Sequence, residues 1–222
     1  MDTADLYRHK EQGYFTVARH DLLEMLPRQA AGGLRLLELG AGSGATLRAA
    51  KAMGLASYTV GIDIVEPAAA SDGGPAVDLF LCGNVETMEL DLPRDFDAVI
   101  CADVLEHLVD PWRVVARLAG HLRSGGVFLS SIPNTRNHRL LSKIVLHGDF
   151  GYEDAGLFDR SHLRFFCRRN IREMFEGAGL VVETMETNMG AYGLRHKALD
   201  LLTLGRLHDF FVFQYRTRAR KP

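Results

Sequence analysis

Residues 36–44 read Leu-Leu-Glu-Leu-Gly-Ala-Gly-Ser-Gly, an apolar strand pattern that ends in an acid, Glu38, and runs straight into alternating glycines. A helical pattern follows at once over 44–53. Strand, glycine turn and helix in immediate succession restrict the chain to a parallel α/β unit with a ligand at the turn. Gly40, Gly42 and Gly44 let the backbone bend tightly and approach that ligand without a Cβ in the way, and the helix presents its free N–H groups there. The arrangement fits a ligand containing a nucleoside. Gly40, Gly42 and Ala45 also satisfy the looser G-x-G-x-x-A dinucleotide pattern, but Glu38 opposes it. A carboxylate at the strand end repels a pyrophosphate and attracts a cation.

The alternation continues from 34 to 182. Strands are predicted at 35–39, 58–62, 77–81, 97–101, 127–132 and 180–184, and helices most clearly at 44–53, 111–122 and 169–178. Gly125-Gly126 and Gly177/Gly179 read as the ends of the last two helices. Phe210-Phe211-Val212-Phe213-Gln214-Tyr215 reads as a final strand. Segments 66–75 and 84–96 are too short or too rich in breakers for full helices and are expected to be loops.

With 222 residues, 47% of them hydrophobic, one domain is expected. Its parts are a helical lid over 1–33, a cofactor-binding half over 34–132, an acceptor-site insertion over 133–167 and a C-terminal half over 168–222. A formal charge of −2 gives no global attraction to nucleic acid or anionic membrane. Arg216, Arg218, Arg220 and Lys221 make a basic tail that reads as solvated. The N-terminus lacks a secretory pattern and no apolar run reaches membrane-spanning length, so a cytoplasmic protein is expected. Cys82, Cys101 and Cys167 are odd in number and widely spaced, which suggests buried thiols rather than disulfides or a metal site.

The segment from Glu38 to Gly44 resembles the first motif of the class I S-adenosylmethionine-dependent methyltransferases, Glu-x-Gly-x-Gly-x-Gly. Further segments extend the resemblance over most of 34–132. Gly61-Ile62-Asp63 ends the second strand in a carboxylate able to accept from both ribose hydroxyls. Cys82-Gly83-Asn84-Val85-Glu86 is similar to the family's adenine-binding Gly-Asp-Ile/Val-Glu, with Asn84 in place of the acid. Residues 96–112 closely resemble the fourth motif of the small-molecule branch. The resemblance implies a Rossmann-like three-layer αβα sandwich with a mostly parallel seven-stranded sheet. Its last strand is antiparallel and inserted between the fifth and sixth. It implies S-adenosyl-L-methionine as cofactor, held by Glu38, Gly40, Gly42, Gly44, Asp63, Ile64, Asn84, Val85, Ala102, Asp103 and His107. The Asp-Pro-Pro-Tyr signature of DNA amino-group methylation is missing, so no DNA partner is expected.

Asp103, Glu106 and His107 have the i, i+3, i+4 spacing that shares one face of a helical turn. The cluster resembles the Glu-x-x-Glu-His metal motif of quinol and small-RNA O-methyltransferases, but Asp-Val-Leu-Glu-His also occurs in relatives with no known metal, and no metal is assigned. Residues 159–166, Asp-Arg-Ser-His-Leu-Arg-Phe-Phe, look like a segment of bacterial methyltransferases associated with glycosyltransferases of surface-polysaccharide synthesis. Strand-like alternation there turns His162 and Arg164 to the cleft, with Leu163 and Phe165 packed below. His107 and His162 are the candidate catalytic bases; His162, Arg164 and Tyr14 are the candidate acceptor contacts. Tyr14-Phe15 and Arg19-His20 belong to the N-terminal lid, and 190–208 reads as an amphipathic helix. The expected reaction is methyl transfer, at oxygen, to a small-molecule or saccharide acceptor. The alternatives are a quinone-pathway-like O-methyltransferase with a metal, a cofactor-binding partner subunit without turnover, and a dinucleotide oxidoreductase disfavoured by Glu38.

Overall fold

The computed structural model describes residues 17–27, 32–66, 75–188 and 200–222. Tyr14, Phe15 and most of the expected 190–208 helix lie outside these residues. The described strands are β1 (Leu34–Leu39), β2 (Ala56–Asp63), β3 (Leu79–Cys82), β4 (Phe96–Ala102), β5 (Leu122–Pro133), β6 (Val181–Asn188) and β7 (Gln214–Arg220). They form one sheet in the order β3-β2-β1-β4-β5-β7-β6, parallel except that β7 pairs antiparallel with both β5 and β6. This is the fold expected from the sequence, with the closing strand in the expected place.

Side-chain alternation on β1 explains the layers. Leu36 packs with Ala98, Ile100 and Val127 against α1 (His20–Leu23) and α2 (Ala45–Ala52). Leu37 and Leu39 point the other way, into a core shared with α3 (Pro111–Ala119) and α5 (Arg168–Gly177). A sheet covered on both faces needs apolar residues at nearly every central position, and β4 is buried at all but its second and last residues. Helix α3 starts where Asp110 caps it, accepting from Arg113 N at 3.1 Å, with Pro111 at the first helical position. It then buries Val114, Val115 and Leu118.

Three expectations about boundaries need correction. The Gly125-Gly126 pair does not end α3, which stops at Ala119; it lies inside β5, where Phe96 pairs Leu122 and Ala98 pairs Val127, leaving 123–126 as a bulge that uses the positive φ of Gly125. The apolar run 210–215 is not the final strand, because a short helix, α6 (His208–Phe211), takes its first half. The basic tail is the strand instead of a solvated end. Tyr215, Thr217 and Ala219 are fully buried on one face of β7, while Arg218 and Arg220 reach Glu183 on β6 at 2.8 and 2.6 Å. Lys221 Nζ caps carbonyls of Ala119 and Leu122 at 3.0 and 2.7 Å. Acids on the neighbouring strand, invisible to a local reading, convert a charge run into a paired strand. Cys82, expected to be buried, is exposed.

Beyond β5 the insertion forms α4 (His138–His147) and a 3-10 turn at Gly156–Phe158, joined by a small satellite core of Leu140, Leu157 and Phe158.

Candidate active site

Parallel pairing sets Glu38 opposite Gly61 on one side and Ile100 on the other, so β1, β2 and β4 end level with one another. A cavity opens over those ends, lined by every expected cofactor residue except Gly44, which is set back as the left-handed N-cap of α2. The glycine loop is required sterically. Gly40 has φ of +71°, and a Cβ there would sit 2.2 Å from Val104 Cγ2.

Glu38 is the main electrostatic feature. Burial pushes its carboxyl up to about 8, against the opposing effects of a Thr46 hydrogen bond and the Arg19 charge. Its Oε2 is buried and has no protein partner. An orphaned carboxylate oxygen beside a cavity is the geometry that a cationic group completes. Asp63 accepts from Gly42 N at 2.7 Å and Val65 N at 3.1 Å, which ties the second strand end to the glycine loop. Asn84 Oδ1 accepts from Glu86 N at 2.9 Å, so the amide that replaces the expected acid also shapes its own turn.

Arg19 lines the cavity beside Glu38 and Asp103. Its guanidinium pairs with Asp21, donates to Asp103, and reaches Ser131 Oγ at 3.0 Å, while its backbone N–H meets Thr46 Oγ1 at 3.3 Å. The sequence placed Arg19 in a lid but gave it no partner, since nothing local links it to Asp103 84 residues away. Asp103 sits at φ of +55° and also accepts from Gln214. Burial raises its carboxyl, with the Arg19 charge pulling the other way.

That strained residue overturns the expected one-face cluster. Asp103 turns to Arg19, and a separate 3-10 turn, Leu105–His107, carries Glu106 and His107 away from it. His162 arrives instead: Glu106, His107 and His162 each bring one nitrogen or oxygen within 4.8 Å of the others. Glu106 is 1% exposed, His162 Nε2 lies 3.9 Å from Glu106 Oε1, and the two imidazoles are 4.7 Å apart. Such a cluster can share a proton or hold a cation. The expected alternation over 162–165 fails: His162 packs against Glu106 and His107 and is not among the residues that line the cavity. Leu163 and Phe165 are exposed, and Arg164 bonds the Val109 carbonyl beside Trp112 rather than standing free in the cleft.

A sequence profile described as a methyltransferase domain matches residues 7–185. The chain belongs to the class I S-adenosylmethionine-dependent methyltransferases.

Among this family's members, a ubiquinone biosynthesis O-methyltransferase of Aromatoleum aromaticum is 31% identical over 174 residues, 71% of this chain and 72% of that protein. Another, from Idiomarina loihiensis, is 28% identical over 155 residues, 67% of this chain but only 62% of the relative. The S-adenosylmethionine-dependent methyltransferase structure from Mesorhizobium loti superimposes with a TM-score of 0.62 at 20% identity, covering 91% of this chain and 96% of that one. In this methyltransferase no helix among the described residues is long and apolar enough to cross a membrane.

Proposed function

We propose that the protein transfers the methyl group of S-adenosylmethionine to an oxygen of a small-molecule acceptor, with His107 as the base. The observation that carries the proposal is the double membership of His107, which lines the cofactor cavity and belongs to the buried cluster with Glu106 and His162. Glu38 and Asp103 would meet the amino group, Arg19 the carboxylate, Asp63 the ribose hydroxyls, and Asn84 with the Val85 backbone the adenine. When bound, the cofactor supplies an already activated methyl group. What remains for the chain is to align the acceptor oxygen, exclude water and take up one proton.

The chemistry of an imidazole narrows the acceptor. Its ordinary pKa of about 6.5 lies some 3–4 units below a phenol at about 10, a gap proton transfer in the transition state can bridge. Sugar hydroxyls are much weaker acids, so a phenolic or enolic acceptor fits better than the saccharide suggested by residues 159–166. The names of the O-methylating relatives support the same choice.

Calorimetric titration with S-adenosylhomocysteine, with NAD in parallel, tests the cofactor reading; a panel of catechols, phenols, sugars and alcohols then tests the acceptor. Micromolar binding of S-adenosylhomocysteine alone, followed by methylation of a phenol, is the expected result. Binding of NAD, or of neither, contradicts it.

A further inference from the structure

The segment that carries His162 to Glu106 and His107 is anchored by a buried carboxylate that the proposed reaction does not use. Asp159 is 2% exposed, and its Oδ1 accepts from both Ser161 N at 2.8 Å and Ser161 Oγ at 2.5 Å. Its carbonyl accepts from His162 N at 3.1 Å, which closes the turn. Both Ser161 donors are thus committed to one oxygen, and the Ser161 carbonyl is aimed the other way. It meets His107 Nδ1 at 3.1 Å, across 54 residues of sequence. In return, Leu163 N and Arg164 N both donate to the Glu106 carbonyl, at 2.8 and 2.9 Å. Residues 106–107 and 159–164 are therefore stitched together in both directions.

A carbonyl oxygen accepts and cannot donate, so the Nδ1 that faces it carries the proton. A neutral His107 held this way has its lone pair on Nε2. We infer that Asp159 is a positioning residue for this reaction: by fixing the Ser161 carbonyl it sets the tautomer of His107 and the direction of its basic nitrogen. The inference rests on His107 being the base proposed above. A brace that merely held the loop would leave the tautomer alone.

The test is long-range ¹H–¹⁵N NMR of the imidazole nitrogens in the full chain, dialysed against a chelator and recorded with and without S-adenosylhomocysteine. Wild type is expected to carry the neutral-form proton on His107 Nδ1. Asp159→Asn keeps it there, because an amide oxygen accepts the same two hydrogen bonds. Asp159→Ala shifts the proton toward Nε2 and speeds exchange of the Leu163 and Arg164 amides roughly tenfold, the scale of one lost hydrogen bond. Should Asp159→Ala fail to fold, Asp159→Glu, which displaces the carboxylate by one methylene, is expected to shift the tautomer as well. An Nε2–H signal in wild type, or an unchanged tautomer in the folded alanine or glutamate variant, overturns the inference. Loss of S-adenosylhomocysteine binding in wild type would instead remove the functional reading beneath it, so the two failures are distinguishable.

Discussion

The cofactor side and the proposed acceptor side of this molecule are built on different principles. Over the ends of β1, β2 and β4, function follows from register: Glu38, Asp63 and Ala102 are placed by strands whose pairing fixes where each one ends. On the proposed acceptor side, Glu106, His107 and His162 are brought together by hydrogen bonds to backbone groups between segments more than fifty residues apart. The first kind of site tolerates change in its connections but not at its strand ends. The second depends on a turn that is itself held by the Asp159 carboxylate through both Ser161 donors.

The largest effect expected from this contrast is at Glu38. Glu38→Gln removes the carboxylate facing the cationic cofactor and is expected to weaken S-adenosylmethionine binding by about a hundredfold, of order 2–3 kcal/mol, with a smaller loss for the neutral-sulfur product. Calorimetry with both ligands reads the difference. Equal losses would mean that Glu38 senses the amino group alone.

On the acceptor side, His107→Gln is expected to lower methyl transfer by about 10²-fold or more while S-adenosylhomocysteine affinity changes by no more than about threefold. Single-turnover assays beside calorimetry separate the two. A variant that loses both equally would merge the halves distinguished here.

The pH dependence sharpens the cofactor half further. Burial raises the Glu38 carboxyl from 4.5 to about 8, so the folded protein binds its proton more tightly than the unfolded chain does. The stability tied to this group is fully present below about 4.5 and is lost as pH rises through about 8. A cation beside it favours the ionised form, so cofactor binding is expected to release a proton below pH 8 and to tighten as pH rises toward that value. Titrations in two buffers of different ionisation enthalpy measure the release. Glu38→Gln, free of the charge, is expected to melt higher than wild type at pH 9 when no ligand is present.

The smallest effect belongs to the sheet edge. Glu183 joins Arg218 and Arg220 across β6 and β7, and those guanidinium hydrogen bonds hold its carboxyl below the usual range. The pair is partly solvated, so Glu183→Ala should cost at most about 1 kcal/mol in urea unfolding, shrinking at high salt. The wild-type advantage is present above the ordinary glutamate value and is lost as pH falls through the lowered one.

What was legible in the sequence divides along the same line. Glu38, the glycines and Asp63 obey local spacing, so strand periodicity and the loop motif sufficed to place them. Asp103 failed the helical-face reading because a positive φ, which no sequence period reports, turns it toward Arg19. Arg19 and Glu106 gain their meaning from partners far along the chain. The basic tail reads as solvated for the same reason: the acid that pairs it, Glu183, lies on β6, about 35 residues earlier.

The most direct test of the account compares wild type and His107→Gln, both shown to bind S-adenosylhomocysteine, in methyl-labelled transfer to a catechol or phenol acceptor followed by mass spectrometry. Label on an oxygen in wild type, reduced by about 10²-fold or more in the variant, is the predicted result. Undiminished transfer in the variant, or label on nitrogen or carbon, would contradict the claim that the two halves meet at His107 to methylate an oxygen.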